Sequence, residues 1–423
     1  MRLIYSIAWW CALPLVLGRL LIRGQKEPGY RQNIAERLGF YGAVPLRRDA
    51  HVLWVHAVSV GETRAAQPLI EALLAAFPEH MVLLTHMTPT GRATGRTLFE
   101  KESRVVQSYL PYDTGWMVSR FLRRFQPKLC VLMETEVWPN VMQQCKRHDV
   151  PVALVNARLS ERSLSKALRL PSLFVEAARA MTVVAAQTDS DAERIRQLGT
   201  PNVHVTGSIK FDIVPPEAML QRGAALRHQF GDRPVLVCAN TRDGEETLIL
   251  DALSALRVPE VLLVIVPRHP QRFDNVAQQI RSRGLFMKRR SESGNAEIPA
   301  DVKVFLGDSM GEMFAYYAAG DVACVCGSLL PLGGHNLIEA CAVGKPVLLG
   351  PYTFNFADAA ENAIAAGAAL RMPDATAMMQ QAGCILLNQE MRAEMGKQAK
   401  AFAQQHGGAT ARTLDLLKPL IKD

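Results

Sequence analysis

The sequence lacks several patterns that would assign it directly to a class of protein. No Gly-x-Gly-x-x-Gly follows its first predicted strand and no Gly-x-x-x-x-Gly-Lys-Ser/Thr occurs, which disfavours a dehydrogenase and a P-loop enzyme. It has no low-complexity tract and no repeat of fixed period, and only 21% of its residues are charged, which argues against disorder. Its 423 residues suit two domains of about 200 residues each, with a cleft between them.

The eight cysteines include no Cys-x-x-Cys pair. The two closest, Cys324 and Cys326, alternate within an apolar run, where buried and reduced thiols are expected. A zinc site would need more Cys and His at ligand spacing, so we predict no structural metal and no cofactor. This cysteine usage favours the cytoplasm.

The chain carries a net charge of +8 and has a pI near 9.1, which implies an acidic partner. Composition alone allows nucleic acid, anionic lipid or a phosphorylated small molecule. Nucleic acid is disfavoured because the basic residues are dispersed and no aromatic-rich basic strand of the RNA-recognition type occurs.

The N-terminal segment departs from the pattern of a soluble protein. Leu3 to Ile22 is almost continuously apolar, interrupted by Pro14 and Arg19, and is long enough to cross a bilayer or to lie in it. No small-x-small cleavage motif follows, so we do not expect a removed signal peptide. We predict a membrane anchor over residues 1–24, spanning or interfacial. The alternative is an amphipathic helix packed on the N-terminal domain.

Residues within the apolar segment and just after it predict its orientation. Trp9 and Trp10 are typical of a membrane interface, and by the positive-inside rule the basic residues place the body of the protein on the cytoplasmic side. These basic residues are Arg19, Arg23, Lys26, Arg31 and Arg37.

From about residue 50 short apolar runs alternate with helix-length segments, which predicts two parallel α/β sheets. Predicted strands of the first half are Val52–His56, Met81–Thr85, Leu129–Met133, Val152–Asn156, Thr182–Ala186 and Val203–Thr206. Those of the second half are Val235–Ala239, Val261–Val266, Val302–Leu306, Val322–Cys326 and Val347–Leu349. We place the domains at residues 25–206 and 207–423. In such sheets ligands bind beyond the carboxyl ends of the strands.

Two acidic motifs follow predicted strands of the first half. Ser59-Val60-Gly61-Glu62 places Glu62 at the start of a helix beside the expected cleft. A carboxylate there can stabilise the helix terminus or act as a general base toward a hydroxyl, although the helix dipole would lower its pKa. Glu134-Thr135-Glu136 follows the third predicted strand. Two carboxylates beside an apolar Met and Trp cost solvation unless they bind something, which favours a functional site.

Lys210 follows the last predicted strand of the first half. It either faces the cleft from the domain junction or is a solvated linker lysine. The sequence alone does not choose between these readings.

Three turns in the second half carry residues suited to a nucleotide. Arg268, in Val266-Pro267-Arg268-His269-Pro270, can present a fork of donors to a phosphate or a base carbonyl. Gly307 to Met313 and Gly327 to Ala340 combine small residues with the free amides of a helix start, which suits a phosphate. In the last turn Glu339 lies one helical turn beyond Asn336 and can accept hydrogen bonds from vicinal hydroxyls. For this last turn, an ordinary βα turn with glycines for tight packing is the alternative.

Two α/β halves, a nucleotide turn cluster in the second and a glutamate in the first match a GT-B glycosyltransferase. Ordered motifs over nearly the whole chain resemble the 3-deoxy-D-manno-octulosonic acid (Kdo) transferases. The motifs are Ser59-Val60-Gly61-Glu62, Met87 to Gly91, Glu134 to Asn140, Asn156 to Ser160, Thr206 to Asp212, Pro267 to Pro270, Gly327-Ser328-Leu329 with Gly334-His335-Asn336, and Gly350 to Phe356.

The resemblance implies two Rossmann-like domains facing a cleft, in an enzyme of lipopolysaccharide assembly. It would move Kdo from CMP-Kdo to the lipid A precursor, lipid IVA, at the cytoplasmic face of a bacterial inner membrane. The match makes Glu62 the proton acceptor and lets Glu134 and Lys210 stabilise the transition state, with Glu134 preferred over Glu136. Residues that would bind CMP are Arg268, His269, Met310, Gly311, Glu312, Asn336, Leu337, Ile338 and Glu339. The resemblance implies no metal for the chemistry.

Two other readings remain. A nonenzymatic, membrane-tethered nucleotide-sugar-binding protein would need the cleft but no base, so Glu62 discriminates. A GT-B enzyme with a UDP-sugar donor, or a sugar epimerase, would share the fold. The apolar N-terminus argues against a soluble epimerase.

Overall fold

The computed structural model describes residues 2–42, 44–47 and 50–421. Its contacts divide the chain into two compact units. The first contains the residues up to Asp212 together with those from Gly407 onward, and the second contains Ile213–His406.

The first unit is built on a parallel sheet with helices on both faces. Its strands are β1 (His51–His56), β2 (His80–His86), β3 (Val105–Tyr109), β4 (Pro127–Met133), β5 (Val152–Ala157), β6 (Val183–Ala186) and β7 (Val203–Val205). Its helices are α1 (Arg2–Lys26), α2 (Ile34–Arg37), α3 (Val60–Ala76), α4 (Pro89–Leu98), α5 (Gly115–Phe125), α6 (Pro139–Arg147), α7 (Glu161–Leu168), α8 (Pro171–Arg179) and α9 (Asp189–Gln197), joined by α18 (Ala409–Leu417) from the chain's end. The strand order is β3-β2-β1-β4-β5-β6-β7.

The second unit repeats this plan. Its strands are β8 (Val235–Thr241), β9 (Leu262–Pro267), β10 (Met287–Arg289), β11 (Val304–Leu306), β12 (Val322–Val325), β13 (Val347–Leu349) and β14 (Ala369–Arg371). Its helices are α10 (Glu217–Phe230), α11 (Glu245–Asp251), α12 (Phe273–Ser282), α13 (Met313–Ala319), α14 (Ile338–Ala342), α15 (Ala357–Ala365), α16 (Ala375–Leu387) and α17 (Gln389–Gln405). The parallel order is β10-β11-β9-β8-β12-β13-β14.

Both sheets reverse their strand order at one point, and ligands of such sheets bind at this switch. In the first unit the switch lies between β1 and β4, and in the second between β8 and β12. Glu62 lies at the start of α3, just after β1, Glu134 directly follows β4, and the loop after β12 is the glycine-rich one. The topology therefore places Glu62, Glu134 and the glycine-rich loop at the switch points of their own units.

Every strand predicted from the sequence is present, with ends within two residues of the prediction. The prediction missed β3, β10 and β14. All three are edge strands, and each contains partly exposed residues. Strands β10 and β14 are also only three residues long. Such strands lack the continuous apolar run by which a central parallel strand is recognised.

The last helix returns to the first unit. We expected residues 407–423 to belong to the second domain, but α18 packs against α3. The Asp212 carboxylate accepts hydrogen bonds from the backbone N–H groups of Gly408, Ala409 and Thr410 at the start of α18. An acidic side chain at a helix N-terminus is stabilised by the unpaired amides and the dipole.

Helix α1 has one face packed on the first unit. Trp9 stacks on Tyr112 with ring centroids 5.7 Å apart, and Leu20 is buried in the same cluster. The Tyr5 hydroxyl donates to Asp113 at 2.9 Å. The stretch Leu3–Gln25 is long and apolar enough to cross a membrane. Its other face exposes large apolar side chains, namely Leu3, Ile4, Ile7, Trp10, Leu15, Leu21 and Ile22.

Candidate active site

Glu62 lies in the first turn of α3, where the chain leaves β1. Ser59 caps this helix, and its hydroxyl oxygen accepts a hydrogen bond from the Glu62 backbone N–H. In return the Glu62 carboxylate accepts from the Val58 N–H at 2.8 Å and from the Ser59 hydroxyl at 3.0 Å. This reciprocal arrangement is a variant of the capping box, in which the glutamate accepts from the N–H of Val58, the residue before the N-cap, instead of from the N–H of Ser59. It fixes the carboxylate while leaving part of its accepting capacity unused, because a carboxylate has about four lone-pair sites.

The environment of Glu62 raises its pKa. Burial is the largest cause, and the neighbouring charge of Glu134 acts in the same direction. The hydrogen bonds from Val58 and Ser59 and the charge of Lys210 oppose the rise without cancelling it. Desolvation of the carboxylate therefore acts against the lowering of the pKa that a helix terminus by itself would cause. A raised pKa makes Glu62 a stronger proton acceptor when ionised.

Glu134 directly follows β4 and lies in an ion-paired cluster. Its backbone is left-handed, with φ of +56°, and the residue is 8% exposed. One carboxylate oxygen lies 2.9 Å from the Lys210 Nζ, and the other lies 3.4 Å from the Arg158 Nε. The structure thus brings Glu134 and Lys210 into direct contact, as a shared site requires.

Lys210 is positioned by a buried asparagine. It lies in a single 3-10 turn, Ile209–Phe211, whose first backbone N–H donates to the Asn156 side-chain oxygen at 3.1 Å. Asn156 is fully buried at the end of β5, with φ of +51°. The neighbouring Asp212 is held by the start of α18. Lys210 is therefore held in a defined turn, which disfavours the reading of a solvated linker lysine.

Glu136 differs from Glu134 in its surroundings. Burial raises the pKa of Glu136 to about 7, and the charges of Glu62 and Glu134 add to the rise. The Trp138 indole N–H donates to the Glu136 carboxylate at 2.7 Å, and this hydrogen bond acts to lower the pKa. Near neutral pH Glu136 therefore populates both its neutral and its charged forms, whereas Glu134 is paired with two cations.

Sequence reasoning gave Arg158 no role. It follows β5, the strand next to β4 in the sheet, and its backbone N–H also approaches the Glu134 carbonyl oxygen at 3.4 Å. Its side chain is half exposed. The strand order would have revealed this proximity, but a single sequence does not supply the order.

In the second unit, cationic and imidazole groups gather after β8, β9 and β12. Burial lowers the pKa of His335 to about 4, and the charges of Arg268, Arg242 and His269 contribute to the shift. The pKa of His269 is lowered by burial and by the same arginines. Groups that influence one another in this way lie close together, and such a concentration of positive charge suits a phosphate.

The turn after β11 has a different internal arrangement. The Glu312 carboxylate accepts from Arg222 at 2.5 Å, from Arg290 at 3.1 Å and from Ser309 at 2.6 Å. Burial acts to raise its pKa, but these donors outweigh burial and hold the pKa below its usual value. Met310 is exposed, and Gly311 has φ of +78°. A nucleotide contact from Glu312 would therefore use its backbone rather than its occupied carboxylate.

The glycine-rich loop closes on itself between Gly327 and Gly334. The Gly334 N–H donates to the Gly327 carbonyl at 2.7 Å, and both residues have positive φ. At Gly327 a Cβ would lie 2.6 Å from the His335 ring, so a larger residue there would displace the histidine. The loop is thus shaped to hold His335 against the backbone.

The helix that follows this loop is short. Helix α14 is five residues long, and the Asn336 side chain already accepts from the Ile338 N–H at 3.0 Å. That amide is therefore not free for a ligand, contrary to the expectation for an open helix start. Leu337 and Ile338 are buried, so their contacts with a nucleotide would come from the backbone, while Glu339 is half-buried.

Relatives of known activity decide the family. The chain is 46% identical over 427 residues to the 3-deoxy-D-manno-octulosonic acid transferase of Bordetella pertussis, covering 99% of both proteins. It is 35% identical to the enzyme of the same name from Haemophilus influenzae, covering 100% of this chain and 99% of that one. The chain belongs to the Kdo transferase family. It is thus a glycosyltransferase.

Domain-level matches agree with this assignment. Residues 32–213 match the family described as 3-deoxy-D-manno-octulosonic-acid transferase, and residues 246–402 match the glycosyl transferases group 1. A glycosyltransferase from Rickettsia africae shares the fold, with a TM-score of 0.59 and 12% identity over 89% of this chain and all of that one. The GT-B fold class predicted from the sequence is confirmed.

The buried Glu245 of this transferase was also missed by sequence reasoning. It begins α11, and its carboxylate accepts from the backbone N–H groups of Arg242 at 2.9 Å, Gly327 at 2.7 Å and Leu329 at 3.0 Å. It therefore ties the loop after β8 to the glycine-rich loop. Two adjacent glutamates at the start of a helix are also typical of ordinary helix capping, so the sequence does not indicate that Glu245 links two loops.

If the second unit binds CMP, as the resemblance implies, Glu245→Gln should weaken that binding roughly 5- to 150-fold. The amide must turn an N–H toward a backbone donor, and a buried unsatisfied group costs about 1–3 kcal/mol. Calorimetric titration with CMP measures the effect, and Glu297→Gln, at an exposed site of the same unit, is the control. An unchanged affinity in a folded Glu245→Gln protein would show that the loop does not need this carboxylate.

Proposed function

We propose that this transferase moves Kdo from CMP-Kdo to lipid IVA with inversion, using Glu62 as the general base. The observation that carries the proposal is the cluster of Glu62, Glu134 and Lys210 at the switch point of the first sheet. The names of its relatives support Kdo as the transferred sugar. We further propose that the first unit binds the acceptor and the second binds the donor.

In the proposed reaction Glu62 accepts the proton of an acceptor hydroxyl. The oxygen forms a bond to the anomeric carbon of Kdo, and the bond from that carbon to the CMP phosphate oxygen breaks, so that CMP leaves with the electron pair. The capping box fixes the Glu62 carboxylate in one orientation, which favours proton transfer. Lys210 opposes negative charge on the departing phosphate, and Glu134 favours positive charge on the sugar ring.

The donor is proposed to bind the second unit. Arg268 and His269 would hold the phosphate with the positive charge that surrounds them, and backbone groups of Met310, Gly311 and Glu312 would contact the nucleotide. Asn336 to Glu339 would complete the site, with Glu339 accepting hydrogen bonds from ribose hydroxyls. The crowding of Arg242 and His335 around Arg268 supports a site for an anion.

Membrane contact is proposed to be interfacial, on the cytoplasmic face of a bacterial inner membrane. Helix α1 has one side packed against the first unit from Tyr5 to Leu20, while the opposite side exposes apolar residues. A helix packed in this way lies alongside its domain, which favours insertion into one leaflet over crossing the bilayer. The net charge of +8 would favour binding to anionic lipid.

Replacing Leu3 and Ile7 together by serine should therefore lower partitioning onto anionic vesicles roughly tenfold or more, because each apolar side chain contributes about 1.5–3 kcal/mol when fully buried. Vesicle co-sedimentation measures this change. Leu387→Ser, at an exposed position of the second unit, is the matched control. Equal sedimentation of all three proteins would refute the assignment of this face to the membrane.

The test of the function is product formation from CMP-Kdo and lipid IVA, followed by mass spectrometry. We expect a mass gain of one or more Kdo units. No product from folded protein would refute the donor and acceptor assignment. Competition by UDP in place of CMP would point to a different sugar donor.

A further inference from the structure

A pocket of about 230 Å³ lies in the first unit beyond the ends of β4 and β5, bordered by α7, α8 and α9. Its floor is buried and apolar, and consists chiefly of Leu154, Ala178, Met181, Ile195 and Leu198. Its rim is exposed and polar, and includes Thr135, Arg158, Ser163 and Lys166. The pocket therefore combines an apolar interior with two cations at its entrance.

The pocket borders the ion-paired cluster that Glu134 forms with Lys210 and Arg158. Glu134 and Arg158 line it and also form the ion pair of that cluster. Glu62, the proposed base, is close enough to Glu134 for the charge of Glu134 to act on it, so a molecule with its reacting hydroxyl at Glu62 would have the pocket entrance nearby. Because the pocket and the cluster share these residues, the substrate that reacts at the cluster is the molecule expected to occupy the pocket.

Size and lining restrict the occupant. Sites for drug-sized molecules usually measure about 300–1,000 Å³, so this pocket suits a slender chain better than a sugar nucleotide. One buried residue of the wall carries an unpaired polar atom: Thr200 is 6% exposed, and its hydroxyl has no hydrogen-bond partner in the described structure. Buried hydroxyls usually have a partner, so an oxygen of the occupant or a water would satisfy it.

We propose that the pocket receives one acyl chain of the amphiphilic acceptor, with an acidic group of that acceptor near Arg158 and Lys166. This inference rests on the proposed function, because it identifies the acceptor as a lipid. The apolar floor of the pocket would bind the acyl chain, and the cations at its rim would bind the acidic group of the acceptor. Each methylene of the chain that is buried against the floor should contribute about 0.8 kcal/mol to the free energy of acceptor binding.

The first test fills the pocket with Ala167→Phe, at a half-buried lining position. The measured quantity is the ratio of kcat/KM for the long-chain acceptor to that for a short-chain analogue of the same phosphorylated disaccharide. We expect the ratio to fall roughly tenfold, equivalent to withdrawing one or two methylenes from an apolar site. Ser172→Phe, on the exposed side of α8, is the matched control and should leave the ratio unchanged. A ratio unchanged in Ala167→Phe overturns the proposal.

A second measurement needs no variant. An acceptor analogue with a photoreactive diazirine at the end of one acyl chain is bound to the wild-type protein, irradiated, and the cross-linked peptide located by mass spectrometry. We expect cross-links within residues 154–200. Cross-links confined to α1 would overturn the proposal while leaving transfer intact. Absence of Kdo transfer by wild-type protein would instead refute the proposed function, so the two failures are distinguishable.

Discussion

Glu62→Gln is expected to reduce kcat roughly 10²- to 10⁴-fold, the usual contribution of a positioned general base. Glutamine can still accept a hydrogen bond from the Val58 N–H and is the accepted alternative to glutamate in a capping box. The substitution therefore removes the basic carboxylate with little change to the helix terminus. If Glu62 serves only as a cap, Glu62→Gln will be nearly as active as the wild type.

The pH dependence of kcat/KM gives an independent measure of the same assignment. A general base must be deprotonated to work, so the rate should fall as the pH falls through the pKa of Glu62. Because burial raises that pKa, the acidic limb should lie above the range of an ordinary glutamate. Glu71→Gln, on the exposed side of α3, controls for the loss of one negative charge on the same helix. A flat profile through this range would contradict Glu62 as the base.

The central strands were predictable because they are buried on both faces and therefore appear as continuous apolar runs. The edge strand β10 was not, since Met287-Lys288-Arg289 has no such run. The position of α18 could not be predicted either. Its attachment to the first unit depends on hydrogen bonds between Asp212 and amides almost two hundred residues away, a contact that no local pattern encodes.

In the candidate site, too, some features could be predicted from the sequence and others could not. Glu62, Glu134 and Lys210 stand in short motifs after strands, so their positions at the ends of strands could be inferred from the sequence. The roles of Arg158 and Glu245 depend on which strands are neighbours, because each contacts a loop far away in sequence. The raised pKa of Glu62 also escaped prediction, since burial cannot be read from the motif itself.

Lys210→Ala and Glu134→Gln should each slow transfer, roughly 10²- to 10³-fold if both groups stabilise the transition state. They should shift the pH profile in opposite directions. The Lys210 charge lowers the pKa of Glu62, so its removal should move the acidic limb to higher pH. The Glu134 charge raises the same pKa, so its neutralisation should move the limb to lower pH.

Opposite shifts distinguish an electrostatic role from a structural one. A variant that merely loosens the turn Ile209–Phe211 would lower the rate without moving the limb in a charge-dependent direction. Lys101→Ala removes an exposed lysine of the same unit and should leave both rate and profile unchanged. Limbs that coincide for Lys210→Ala, Glu134→Gln and the wild type would show that neither charge tunes the base. Opposite displacements would instead identify Glu62 as the titrating group, because that carboxylate is subject to both charges.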